Sequence, residues 1–139
     1  VKLPRAVFRY IEHELYNYDA TKKAIEELRE DIILSSPPRE VVAANGDRYY
    51  GDTVGTKTVK LVTSTALARM SRAVVAIERT LARLTEDHRQ LFELKYRQCL
   101  PWQQVCRDMP TSERTYFRLR RELVEMVALE FGLAESWQE

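Results

Sequence analysis

The amino-acid sequence predicts an all-α protein: long N-terminal and central helices, spaced for coiled-coil packing or for a plain helical core, then a C-terminal helix-turn-helix. Three observations predict it. Four glycines and five prolines among 139 residues leave few breaks between helices. Apolar residues recur every three or four positions through most of the chain, the period of a helix that buries one face. Near the end, a short amphipathic stretch, a Pro-Thr-Ser turn and a longer arginine-rich stretch follow in helix-turn-helix order. A hydrophobic content of 45% is ample for a core, so the chain is not a disordered one.

Phe8, Ile11, Leu15 and Tyr18, then Ile25, Leu28 and Ile32, set the first helical pattern, and Pro4 suits its first turn. The pattern falters at Asn17-Tyr18-Asp19. A break is expected there, with Asp19 able to cap a second helix from Ala20 onward. Ser35-Ser36-Pro37-Pro38 ends the segment, because a residue before proline is pushed out of the helical region. Between Arg39 and Gly55, Asn45-Gly46 favours a hairpin turn, and Val41-Val42 and Tyr49-Tyr50 have strand propensity. Clean alternation is missing, which favours an irregular loop over a small hairpin.

A long helix should follow, starting between Val54 and Thr58 and ending near Leu84. Leu67, Met70, Val74, Ile77, Leu81 and Leu84 recur at intervals of three and four. That spacing fits a coiled-coil seam and an amphipathic core helix equally. The chain therefore divides into a helical oligomerisation region, residues 1–84 with a loop at 35–55, and a helix-turn-helix domain, residues 85–139.

The overall charge of +1 excludes a strongly basic architectural protein, so any nucleic-acid site must come from local charge. Residues 1–34 carry six basic and seven acidic side chains, whereas residues 57–84 carry six basic side chains against Glu78 alone. Arg69, Arg72, Arg79 and Arg83 share one helical face. This stripe either touches phosphate or pairs with the acidic N-terminal helices of its own or a second chain.

Thr85 is suited to capping a helix, with Glu86 and Asp87 placed where the helix dipole favours acids. His88, at the start of that helix, reads as a solvated residue. Pro101 opens a short helix whose apolar set is Trp102, Val105, Cys106 and Met109. Ser112 caps a last helix to about Phe131, stopped by Gly132. Cys106 supplies the small side chain that two closely crossing helices need. Tyr116, Leu119, Leu123, Met126 and Val127 share the core face of the last helix. Glu113, Arg114, Phe117, Arg118 and Arg121 lie on the opposite face.

Residues at the start of a recognition helix reach base edges, and arginine offers guanine two parallel donors. Ser112 and Thr115, with the free backbone N–H groups beside them, can hold a phosphate. The candidate DNA-binding set is therefore Ser112, Glu113, Arg114, Thr115, Phe117, Arg118 and Arg121. The plainer reading is a solvated face in which the arginines pair with Glu122 and Glu125. Pro110 stands where such a turn usually places a glycine, and proline cannot adopt the left-handed conformation.

Three blocks resemble the RinA/ArpU-type phage late-gene transcriptional activators: "IEHELYNYDATKKAIEELREDII", "AIERTLARLTEDHRQLFELKY" and "TSERTYFRLRRELVEMVALEFG". In the last, Ser112, Arg114, Thr115, Arg118 and Arg120 stand in register with the family's final helix. The resemblance covers most of the chain outside residues 35–52. It implies N-terminal helices joined to a helix-turn-helix similar to region 4 of sigma factors. It also implies a phage or prophage protein that binds double-stranded DNA upstream of packaging and structural genes, in contact with host RNA polymerase. Pro110 and the acidic Glu113 depart from the family pattern.

Two other classes share these features. A small terminase subunit also joins a helix-turn-helix to coiled-coil helices, and a protein adaptor would turn the sigma-like tail to polymerase instead of DNA. An enzyme is not expected, since His13 and His88 have no nucleophile nearby in sequence and no P-loop, GxSxG or HExxH occurs. Cys99 and Cys106 with two histidines make no zinc pattern, so no cofactor or metal is expected. Two unpaired cysteines and the absence of a signal-peptide pattern or membrane-length apolar run lead to the expectation of a cytoplasmic protein, and the resemblance implies that the cell is a bacterial host. A homo-oligomer, dimer or tetramer, is the expected assembly. Val1 is compatible with a GTG start or a trimmed chain.

Overall fold

The computed structural model describes residues 2–34, 40–42, 48–50 and 54–134. The fold is all-α. Its helices are α1 (Arg5–Tyr16), α2 (Tyr18–Leu34), α3 (Val54–Arg83), α4 (Glu86–Leu91), α5 (Trp102–Asp108) and α6 (Glu113–Glu130). A π-helical turn, Phe92–Arg97, continues α4. Two three-residue strands, β1 (Glu40–Val42) and β2 (Arg48–Tyr50), pair antiparallel with Val41 opposite Tyr49. The stretch expected to be an irregular loop thus carries a small hairpin. Strands of three residues are too short to display the alternation that would have announced them. The Asn45-Gly46 turn and the Ser35–Pro38 stop lie outside the described residues.

The break between α1 and α2 falls at Asn17, as the faltering pattern suggested, but Asp19 is not the cap. The Asn17 backbone and side-chain amides both donate to the His13 carbonyl, at 3.1 and 2.7 Å, and close α1. Thr21 N–H then donates to the Asn17 carbonyl at 2.7 Å, so α2 is under way from Tyr18. Asp19 stands in its first turn, and its carboxylate receives the Arg97 guanidinium through two hydrogen bonds of 2.9 and 3.1 Å.

The chain forms two compact units. One is Lys22–Ser71, which holds most of α2, the hairpin and the first half of α3. The other joins Val1–Thr21 to Arg72–Glu139. Here α1 and the last turns of α3 share a core with the C-terminal helices, where the sequence suggested a division at residue 84. The reason is apolar burial: Ile11 and Leu15 of α1, Ile77 of α3 and Leu84 are buried in one cluster with Leu91, Tyr96, Val105, Leu119, Leu123 and Val127. Ala73, Ala76 and Thr80 are buried beside Ile77, and Val74 and Leu81 pack at the edge. From Arg72 onward α3 is therefore an amphipathic core helix. The buried Thr80 hydroxyl donates to the Ala76 carbonyl one turn back, at 3.0 Å.

One polar network crosses this core. Glu12 of α1 receives Nε and Nη2 of Arg120 at 3.0 and 2.5 Å, and the Tyr96 hydroxyl at 2.7 Å. Lys95 Nζ stands 3.9 Å from the same carboxylate and donates to the Tyr16 hydroxyl at 2.9 Å. The Arg120 guanidinium also lies over the Phe8 ring, 5.0 Å from its centroid. Burial pushes the Glu12 pKa up, but the hydrogen bonds from Arg120 and Tyr96 and the charges of Arg120 and Lys95 outweigh it, and the net shift is downward. Burial and the neighbouring Glu12 charge hold the Tyr96 hydroxyl well above its ordinary value, so it remains a donor.

A carboxylate with a lowered pKa in the folded state adds stability above its unfolded value, and that stability is lost as pH falls through the folded value. Glu12→Gln should therefore lower stability at pH 7 by roughly 2–4 kcal/mol, a range allowing for the partial exposure of Arg120. Its loss of stability below about pH 5 should be shallower than that of the wild type. Urea unfolding of both proteins between pH 7 and pH 3 measures this.

Candidate nucleic-acid interface

The C-terminal helices are placed by a series of local stops. Thr85 caps α4, its hydroxyl accepting the His88 N–H at 3.5 Å. His88 is buried, contrary to the expectation of a solvated residue. Its Nδ1 lies 2.6 Å from the Thr85 hydroxyl and its Nε2 lies 2.9 Å from a Glu122 carboxylate oxygen, which ties α4 to α6. No local pattern announces this tie, because Glu122 is 34 residues away.

After the π-helical turn, Gln98 N–H donates to the Glu93 carbonyl and Leu100 N–H to the Leu94 carbonyl, at 3.0 and 3.1 Å. Cys99 between them is left-handed, with φ +56°. Pro101 then caps α5 in extended conformation. The α5–α6 turn runs through Met109, φ −115°, to Ser112, φ −78°, with no left-handed residue among the described ones except Cys99 and Gly132. Pro110 is thereby accommodated, and the left-handed position is found one loop earlier.

Ser112 caps α6: its hydroxyl accepts the Thr115 N–H at 3.1 Å and donates to the Thr115 hydroxyl at 2.9 Å. These two side chains are therefore occupied with each other at the helix start. The N–H groups of Glu113 and Arg114, in the first turn, still point out of the helix without an intrahelical acceptor. At the other end, Gly132 is left-handed, φ +73°, and Gly132 and Leu133 N–H return to the Leu129 and Ala128 carbonyls at 3.0 and 2.9 Å. This is the doubly bonded glycine stop that the sequence suggested.

The faces of α6 separate as expected, with one refinement. Tyr116, Leu119, Leu123 and Val127 are buried, joined by Val124 and Ala128, and Met126 packs at the edge of the core. Glu113, Arg114, Phe117, Arg118 and Arg121 are exposed, and Thr115 is half-buried. Phe117 leans inward, however: its ring lies 6.2 Å from that of Trp102 on α5 and 5.0 Å from that of Tyr116. It belongs as much to the α5–α6 contact as to the open face. Arg118 has only a long ion pair with Glu122, 3.8 Å, and Arg114 and Arg121 form no ion pair among the described residues.

Arg120 differs from these three. It lies between Tyr116 and Leu123 on the core side and is bound to Glu12. Its spacing from Tyr116 (four) and Leu123 (three) could have shown its direction; its partner, 108 residues away, could not be read. In the stripe on α3, Arg83 pairs with Glu130 of α6 at 2.6 Å, an acid of the same chain but not of its N-terminal helices. Cys106 is partly buried against the core on α5, where burial and then the nearby Glu113 charge push its thiol pKa up. Among the described residues, no three His, Cys, Asp or Glu side chains gather to hold a metal ion, and no helix is long and apolar enough to cross a membrane.

Fold and site define an all-α chain that presents a short helix, a tight turn and a longer helix with an open arginine face. The chain matches the family model described as "Protein of unknown function (DUF722)" over residues 9–128, and it belongs to that family. No curated protein and no solved structure matches it.

Five single substitutions test these assignments by chemical unfolding. Arg120→Ala should lose roughly 2–4 kcal/mol because it leaves the buried Glu12 charge short of its partner. Arg114→Ala, Arg118→Ala and Arg121→Ala should each stay within about 0.5 kcal/mol of wild type. Cys99→Gly should raise stability by roughly 0.5–1 kcal/mol, relieving a left-handed residue that carries a Cβ.

Proposed function

We propose that this protein is a sequence-specific DNA-binding regulator of the RinA/ArpU type, which switches on late or packaging genes of a phage or prophage in a bacterial host. In this reading α6 enters the major groove with Arg114, Arg118 and Arg121 toward base edges and backbone, and α5 lies across it. The observation that carries the reading is the division of the arginines on α6. Arg120 is spent on the fold, while Arg114 and Arg121 have no ion pair among the described residues and Arg118 only a long one.

Free guanidinium groups on a rigid, capped helix suit bidentate contact with guanine. The open N–H groups of Glu113 and Arg114 suit a phosphate. Glu113 itself repels phosphate, and its role would be to accept from cytosine N4 or to favour the helix dipole. Two copies would set their recognition helices in successive major grooves about 34 Å apart. Contact with host RNA polymerase belongs to the same reading, through the likeness to sigma region 4 that the family resemblance implies.

Selection of bound genomic fragments at about 150 mM salt, where loosely screened contacts weaken, tests the reading. Enrichment of a site ahead of packaging or structural genes is expected. Enrichment inside a packaging-site gene would point to a small terminase subunit. No enrichment, together with capture of polymerase, would point to a protein adaptor. On the enriched site, Arg114→Ala and Arg118→Ala should each cost roughly 1–3 kcal/mol of binding and relax specificity. If titration finds both variants unchanged, α6 is not the recognition helix.

A further inference from the structure

The unit Lys22–Ser71 carries a surface that a lone chain leaves uncovered. From Val54 to Ile77, α3 has no acidic residue. On its outward side Val59, Leu61 and Val62 are 65%, 68% and 62% exposed, and Ala66 and Ala68 are exposed beyond them. At the end of α2, Ile33 and Leu34 are 79% and 78% exposed. Helices that are apolar on their outer as well as their inner side are normally buried, and contiguous apolar exposure marks an interaction surface.

The charges beside these apolar residues are complementary in sign. In α2 from Ala24 to Leu34, Glu26, Glu27, Glu30 and Asp31 stand against Arg29, and all five are exposed; Lys22 and Lys23 lie one turn earlier. In the first half of α3, the charged residues are Lys57, Lys60 and Arg69, all basic. Each set opposes its own helix dipole: α3 has no acid in its first turn, and α2 has no base in its last. Among the described residues, Glu26, Glu27, Glu30, Asp31 and Arg69 form no ion pair.

A second copy of this chain offers each set the opposite charge. Two α3 segments packed side by side would oppose basic residues to basic ones. A two-fold arrangement that lays the first half of α3 on the acidic end of the partner copy's α2 satisfies both at once, twice per dimer. We propose that the unit Lys22–Ser71 is the self-association surface of this protein, through a reciprocal α3-on-α2 contact centred on Leu61, Val62, Ile33 and Leu34. The inference is independent of the DNA-binding reading, and its test uses no DNA.

Sedimentation velocity on the full chain gives the test. The wild type should be a dimer, and Leu61→Asp with Val62→Asp should be a monomer that unfolds at the wild-type denaturant concentration, since both side chains are exposed. Two charge-reversed variants then fix the geometry. One carries Lys57→Glu, Lys60→Glu and Arg69→Glu; the other carries Glu26→Lys, Glu27→Lys, Glu30→Lys and Asp31→Lys. Each alone should dimerise at least about tenfold more weakly, and an equimolar mixture should recover a heterodimer. A monomeric wild type would overturn the proposal. So would unchanged self-association of the α2-reversed variant, the result that a pairing of α3 with α3 would give.

Discussion

A carboxylate of the first helix, Glu12, accepts from the last helix and from the turn between them. Its partners Arg120, Tyr96 and Lys95 come from elements more than eighty residues away in sequence. Burying a carboxylate is costly unless its lone pairs are filled by donors and its charge is met. Here Arg120 fills it with two hydrogen bonds and Tyr96 with a third. α1 cannot leave α6 without stranding a charge on each. The same contact turns one arginine of α6 inward, and so fixes which arginines remain outside.

The loops around α5 show how the chain meets a geometric demand without the usual residue. A turn between two crossing helices commonly uses glycine in the left-handed conformation, and Pro110 makes that impossible locally. The protein turns through extended Met109 and Ser112 instead, and carries its left-handed residue at Cys99, behind the π-helical turn. The entry to α5 is adjusted rather than its exit. Phe117 and Trp102, in contact across α5 and α6, occupy the space at this crossing.

What could be read from the sequence was what depends on residues within one or two helical turns. The limits of α3, the Thr85 and Ser112 caps, the Gly132 stop and the buried side of α6 are of this kind. What could not be read depends on partners far along the chain: Asp19 with Arg97, His88 with Glu122, and Glu12 with Arg120. A local pattern assigned Asp19 to a cap and His88 to solvent, because both residue types do those things when no tertiary partner competes. The hairpin at β1 and β2 escaped for another reason, since three residues per strand carry too little alternation to weigh against a loop. Of the candidate site, the outward arginines were legible from spacing, whereas the inward lean of Phe117 needed the position of Trp102.

Arg120 of α6 is bound into the fold, and Arg114, Arg118 and Arg121 carry the proposed DNA contact. Arginine side-chain Nε–H resonances, recorded on the full chain with and without its selected DNA fragment, address this division residue by residue. Arg114, Arg118 and Arg121 should shift and become protected from solvent exchange on binding, while Arg120, held by Glu12, should be protected beforehand and should not move. A shift of Arg120, or binding that leaves the other three free, would contradict it.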